Sequence, residues 1–72
     1  MDDTIEKRVK FFFDNQTAVH INTKGVSWYN GVIIEIGAEF LMLKEFKLGD
    51  VPVFFSEIES VDKFSSNKGV VK

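Results

Sequence analysis

The segment WYNGVIIEIGAEFLML, residues 28–43, constrains the fold of this chain more than any other. It is rich in the β-branched and aromatic residues that suit a pleated, buried surface. Gly31 nevertheless lies inside the first strand that the pattern defines, about Val26 to Ile36. A glycine there loses more backbone entropy than any other residue and packs nothing. Glycine in mid-strand marks a bend or a close approach of another backbone, and a local bulge is the competing explanation. A strand this long in so small a domain must bend sharply to serve two halves of one sheet. Gly31 is therefore the expected structural pivot of a small curved barrel.

The chain has 72 residues, one histidine and no cysteine. Domains of this size bury a modest share of their surface and lean on disulfides, a metal or a partner subunit. The missing cysteines exclude the first and, with a single histidine, argue against a structural metal; no cofactor is expected. Eight phenylalanines, one tryptophan and one tyrosine are a large aromatic content for this length. Part of that aromatic surface is expected between subunits. The net charge of -2 disfavours a dedicated nucleic-acid binder. Cations cluster at Lys7, Arg8 and Lys10, whereas acids recur later at Glu35, Glu39, Glu45, Glu57 and Glu59. No apolar run approaches the ~18 residues of a membrane-spanning helix. No signal-peptide pattern follows the two N-terminal aspartates, and a soluble cytoplasmic protein is the expectation.

Along the chain, Asp2, Asp3 and Thr4 supply helix-capping chemistry. Ile5, Val9, Phe12 and Phe13 then recur on one helical face, which predicts a helix over about 3–15. A strand over Val9 to Phe13 with a turn at Asp14-Asn15 is the alternative, since three consecutive phenylalanines favour β-structure. Ala18 to Thr23 alternates as a half-buried strand, with Val19, Ile21 and Thr23 on one face. A turn at Lys24-Gly25 leads to the long glycine-bearing strand. Further strands follow over about Glu39 to Phe46, Val51 to Phe55 and Ile58 to Phe64. Pro52 suits an edge position. Residues 65–72 read as a flexible tail. The predicted fold is mainly β: an N-terminal α-helix and a five-stranded, strongly bent antiparallel small barrel at about 17–64, forming one domain over 1–64.

With the elements in that order, VHINTKGVSWYNGVIIEIGAEFLMLK (residues 19–44) resembles the first motif of the Sm/LSm family, and Gly31 falls on its mid-strand glycine. Within that family the chain is similar to bacterial Hfq and to small Sm-like proteins of microbial or phage type. The pattern from Gly31 to Lys44 aligns without a gap, and VFFSEIESV (residues 53–61) follows the second motif in outline, with Ile58 and Val61 in its last apolar places. The resemblance implies a homo-oligomeric ring of about five to seven copies, the fourth strand of one subunit pairing with the fifth of the next. It implies an interface at Val51, Val53, Phe54, Phe55, Ile58 and Val61, and single-stranded RNA as the ligand.

The departures from the family are chemical. Gly37, Ala38 and Glu39 stand where RNA-reading members carry Asp and then Asn or an aromatic, and Glu39 repels phosphate. Phe55, Ser56 and Glu57 replace the basic pair of the second motif. That pair would supply charge-assisted bonds, whereas a phenylalanine there is left only with base stacking, worth ~1–3 kcal/mol. The candidate RNA contacts are thus Lys7, Arg8, Lys10 and Phe11 on the helix, with Glu39, Phe55 and Ser56 at the family positions. The helix cations are equally the wet face of an amphipathic helix. Of Trp28 and Tyr29, one is expected in the core and the other exposed or at a partner. His20 lacks a partner on its own strand, and no nucleophile–base pair, metal set or phosphate loop is evident, so no catalytic role is expected. Two functions remain open: a non-catalytic RNA-binding ring with an atypical or weakened RNA site, and a scaffold or protein-interaction ring that has lost RNA binding.

Overall fold

The structure, a computed structural model, describes residues 3–25 and 27–65. Helix α1 spans Asp3–Asp14, and five strands follow: β1 Val19–Thr23, β2 Trp28–Ile36, β3 Phe40–Glu45, β4 Gly49–Phe54 and β5 Ile58–Lys63. The alternative strand at Val9 to Phe13 is not formed, because burial of Val9 and Phe12 on one helical face overrides phenylalanine's β-preference. The helix ends where Gln16 turns to φ 53, and the Thr17 and Gln16 N–H groups donate to the Phe12 and Phe13 carbonyls. That pair of bonds closes a Schellman-type cap. Asp2 of the expected cap, Val26 of the expected second strand and residues 66–72 of the expected tail lie outside the described residues.

All five strands belong to one antiparallel sheet in the order β4-β3-β2-β1-β5. Strand β2 changes partner along its length. Trp28 to Gly31 pair with β1, and Gly31 to Ile36 pair with β3. Gly31 lies opposite Val19 on one side and Glu45 on the other, so the pivot falls at the glycine. A Cβ built there would sit 2.8 Å from the Glu45 Cα and still closer to the Lys44 carbonyl oxygen, both fixed backbone. Close approach therefore demands the glycine. A register shift between Ile33 and Glu35 adds curvature in the second half of the strand.

The connection from β4 to β5 shows how far the sheet curls. These strands are the two outermost, yet only the short 3-10 helix Phe55–Glu57 joins them. Four chain steps span at most about 14 Å, whereas the edges of a flat five-stranded sheet lie about 19 Å apart. The sheet bends round until its edges come near. No ladder joins β4 to β5 within one chain, so the bent barrel is open between them. The fourth strand begins at Gly49 (φ +84), two residues before the expected Val51, and ends at Phe54, one residue before the expected Phe55, which opens the 3-10 helix.

The concave side holds the core. Val9 and Phe12 of α1 pack with Val19 and Ile21 of β1, Ile33 of β2, Leu41 and Leu43 of β3, Val53, Phe55, and Ile58 and Val61 of β5. Tyr29 packs against this cluster while its neighbour Trp28 is exposed, which resolves the two aromatic neighbours. Helix α1 lies against β2 and β5 and closes one side of the bent sheet.

Candidate functional site

The helix cations are largely engaged within the chain. Arg8 donates from Nε to the Val61 carbonyl at 2.9 Å and pairs with Asp62 at 3.0 Å. Its guanidinium also lies 5.6 Å from the centre of the Phe12 ring. Arg8 is thus a clip between α1 and β5. Lys10 pairs with Asp14 at 3.4 Å, one helical turn on. Lys7 is exposed, and Phe11 is 61% exposed with its ring edge-on to Phe12.

The residues expected at the two family motifs do meet. The Phe55 N–H donates to the Glu39 carbonyl at 3.0 Å, which places the β2–β3 turn against the 3-10 helix. Glu39 and Ser56 are exposed there. The Phe55 ring is only 4% exposed and belongs to the core, so it offers no stacking surface to a base. Alternation along β4 explains this: Val51, Val53 and Phe55 point inward, and Pro52 and Phe54 outward. The same burial shows what the residues of the expected interface do within one chain. The side chains of Val53, Phe55, Ile58 and Val61 are used by the chain's own core, whereas Phe54 is 47% exposed and Val51 is half-buried. What β4 and β5 offer a partner is their backbone edges and the outward side chains.

A different cluster emerges on the convex side. His20 faces Asn30 across β1 and β2 and Asp62 across β1 and β5. His20 Nδ1 hydrogen-bonds the Asn30 side-chain oxygen, and its ring lies 5.7 Å from that of Trp28. Phe46, in the β3–β4 turn, reaches over to Phe64 beyond β5, with ring centres 5.3 Å apart. Trp28, Asn30, Phe46, Lys47, Leu48 and Phe64 line a groove of about 350 Å³. Trp28 (56%), Phe46 (56%) and Leu48 (65%) are more exposed than large apolar side chains in a monomer need be. Val19 and Ile21 face the core, so the groove opens on the outward face of the sheet, and Asp62 near its flank is paired with Arg8 of α1. Sequence reasoning missed it because its members are distant in the chain. The one local sign was Phe46 and Leu48 flanking Lys47 in a turn, where apolar residues are out of place.

Glu45 organises the turn that carries Phe46 and Leu48. It is buried, and its carboxylate accepts from the N–H groups of Asn30 at 3.0 Å, Lys47 at 2.8 Å and Leu48 at 2.9 Å. These three bonds, that of Asn30 first, hold its carboxyl below the usual glutamate value despite partial desolvation, with a smaller contribution from the Lys47 charge. The sequence did contain the signal. Leu41, Leu43 and Glu45 share one strand face, so a glutamate on the buried side needs donors, and a tight turn supplies them.

Among the described residues no group of three or more His, Cys, Asp or Glu side chains is placed to hold a metal ion. Nor is any described helix long and apolar enough to cross a membrane. No protein-family profile and no curated protein matches the sequence. Among solved structures, the chain is similar to one described as the 1.55 Å crystal structure of the pleiotropic translational regulator Hfq. The TM-score is 0.68 at 21% identity, covering 78% of this chain and 92% of that one. The fold is thereby Sm-like: an N-terminal helix followed by five antiparallel strands in one bent sheet.

Proposed function

We propose that this chain is a non-catalytic, ring-forming Sm-like module that contacts single-stranded RNA weakly and through charge. One observation carries the ring: a single bent sheet ending in two unpaired edges, β4 and β5. Edge strands with free N–H and C=O groups pair with another chain unless they are covered. Two different edges on one chain make a head-to-tail contact, which closes into a ring when the rotation between successive copies divides a full turn. Phe54 and Val51 then flank the junction, and the inward side chains of β4 and β5 continue the core up to it. About five to seven copies follow from the Sm resemblance, with closure itself set by geometry.

The RNA part rests on the likeness to a translational regulator and on the exposed strip of Lys7, Lys10 and Phe11 along α1. Glu39 and Ser56 supply no cation, and the Phe55 ring is withdrawn. Few side chains remain that read bases, so salt-sensitive phosphate contacts dominate. An enzymatic reading finds no support in the set around His20, whose ring is engaged by Asn30 and Trp28 while Asp62 is held by Arg8. A scaffold ring without RNA is the second reading, favoured by the aromatic groove.

Titration of oligo-U, oligo-A and mixed RNAs at two salt concentrations tests the RNA reading. Weak binding that falls steeply with salt is expected, and glutamine at Lys7, Arg8 and Lys10 together removes most of it. Because Arg8 also clips α1 to β5, the Lys7→Gln, Lys10→Gln pair is run beside it as the variant that leaves the clip intact. Tight binding that survives both changes contradicts the charge-driven mode, and no binding at low salt selects the scaffold.

A further inference from the structure

We infer that the aromatic groove beside the β3–β4 turn is a binding site for a quaternary ammonium head group, held by cation–π contact with Trp28, Phe46 and Phe64 and by the Glu45 carboxylate as counter-charge. The inference stands apart from the ring and from RNA. Three observations carry it.

The first is a set of braced aromatic walls. Phe46 and Phe64 stand at 67° to each other with ring centres 5.3 Å apart, so they form a corner. Trp28 lines the same groove and is steadied from its other side by the His20 ring at 5.7 Å. The turn that carries Phe46 is held by the Glu45 bonds to the Lys47 and Leu48 N–H groups. The walls are thus ordered before a ligand arrives, which lowers the cost of binding. The groove of about 350 Å³ has the volume of a small-molecule site.

The second is charge. Glu45 lines the groove and is buried, yet among the described residues no Lys or Arg side chain forms an ion pair with it. Buried charges are ordinarily paired. Ring faces and a carboxylate together favour a cation and repel phosphate. Lys47 also lines the groove and opposes a bound cation. It is exposed, so water and salt screen it far more than they screen the buried carboxylate.

The third is the shortage of free acceptors. The Glu45 carboxylate already accepts three backbone N–H groups, and the Asn30 side-chain oxygen is taken by His20. A primary ammonium has three donors to satisfy and would leave water for few partners. A quaternary ammonium has none, and its methyl groups suit apolar walls.

Choline, titrated into the full chain at constant ionic strength, is the probe, and the emission of Trp28, the chain's one tryptophan, is the readout. The control is its carbon isostere, a neutral alcohol with a tert-butyl group in place of trimethylammonium. Choline is expected to saturate the signal and to bind roughly tenfold tighter than the isostere. Phe46→Leu and Phe64→Leu each keep apolar bulk and remove a ring. Both are expected to weaken choline severalfold and erase its preference over the isostere, with native far-ultraviolet circular dichroism. Lys47→Gln keeps the backbone N–H that reaches Glu45. It is expected to tighten choline about twofold and leave the isostere unchanged. A neutral peptide bearing trimethyl-lysine is run beside choline, and the tighter binder names a protein-borne or a free head group as the source. Equal affinity for choline and its isostere overturns the site. So does the lack of a saturable signal, or leucine variants that bind choline as wild type does. Each of these results leaves the ring and RNA readings standing.

Discussion

Gly31 and Glu45 lie opposite each other where β2 meets β3, and they fix one joint by opposite means. At Gly31 the backbone of residues 44 and 45 occupies the space of a side chain. At Glu45 a side chain does the work of backbone, gathering N–H groups from β2 and from the following turn. Because the obstruction at residue 31 is main chain, even one methyl group forces the strands apart. Gly31→Ala and Gly31→Val should each cost ~1–3 kcal/mol through overpacking. For a domain of this size that is a drop of roughly 5–20 °C in Tm, read at fixed protein concentration. An unchanged melt for either variant contradicts the close approach. Glu45 gives a pH prediction of definite sign. A carboxyl held below its unfolded value stabilises the fold above that value and loses the contribution as pH falls through the folded one. Glu45→Gln should therefore be less stable than wild type at pH 7, and the gap should narrow as the pH is lowered below about 4.5. Melts from pH 7 to pH 3 read it, and a gap of constant size excludes the ionic role.

At the scale of elements, the proposed association turns on β4. Its inward side chains are committed to the core, but its backbone edge and Phe54 are not. Phe54→Asp should split assemblies into single chains that keep their circular dichroism, because the ring of Phe54 contacts only Phe40 among the described aromatic rings and is half in water. Unchanged mass for that variant places the subunit contact elsewhere. The strands themselves were legible in the sequence because their signal is local. Val19 and Ile21 alternate with His20 and Asn22, and Leu41 and Leu43 share a face. The helix was legible for the same reason, as Val9 and Phe12 fall on one side of it. Phe55 was legible as inward from alternation with Val51 and Val53, and its place in a family motif pulled the reading toward a base contact, whereas its ring lies in the core. The Arg8 clip and the Phe46–Phe64 pair were not legible, since each joins residues far apart in the chain through a bend whose degree no local pattern states.

For the molecule as a whole, small size leaves surface that the proposed assembly would cover. A 72-residue chain without cysteine closes only part of its barrel, leaving two edges and an apolar groove on separate sides. The proposed ring uses the two edges. The mass of the wild-type protein in solution, taken by light scattering at micromolar concentration, tests this most directly. The proposed ring predicts a discrete multiple of the 8.2 kDa chain, about five to seven copies. A stable 8.2 kDa monomer would show that the β4 and β5 edges remain unpaired, and would contradict the ring.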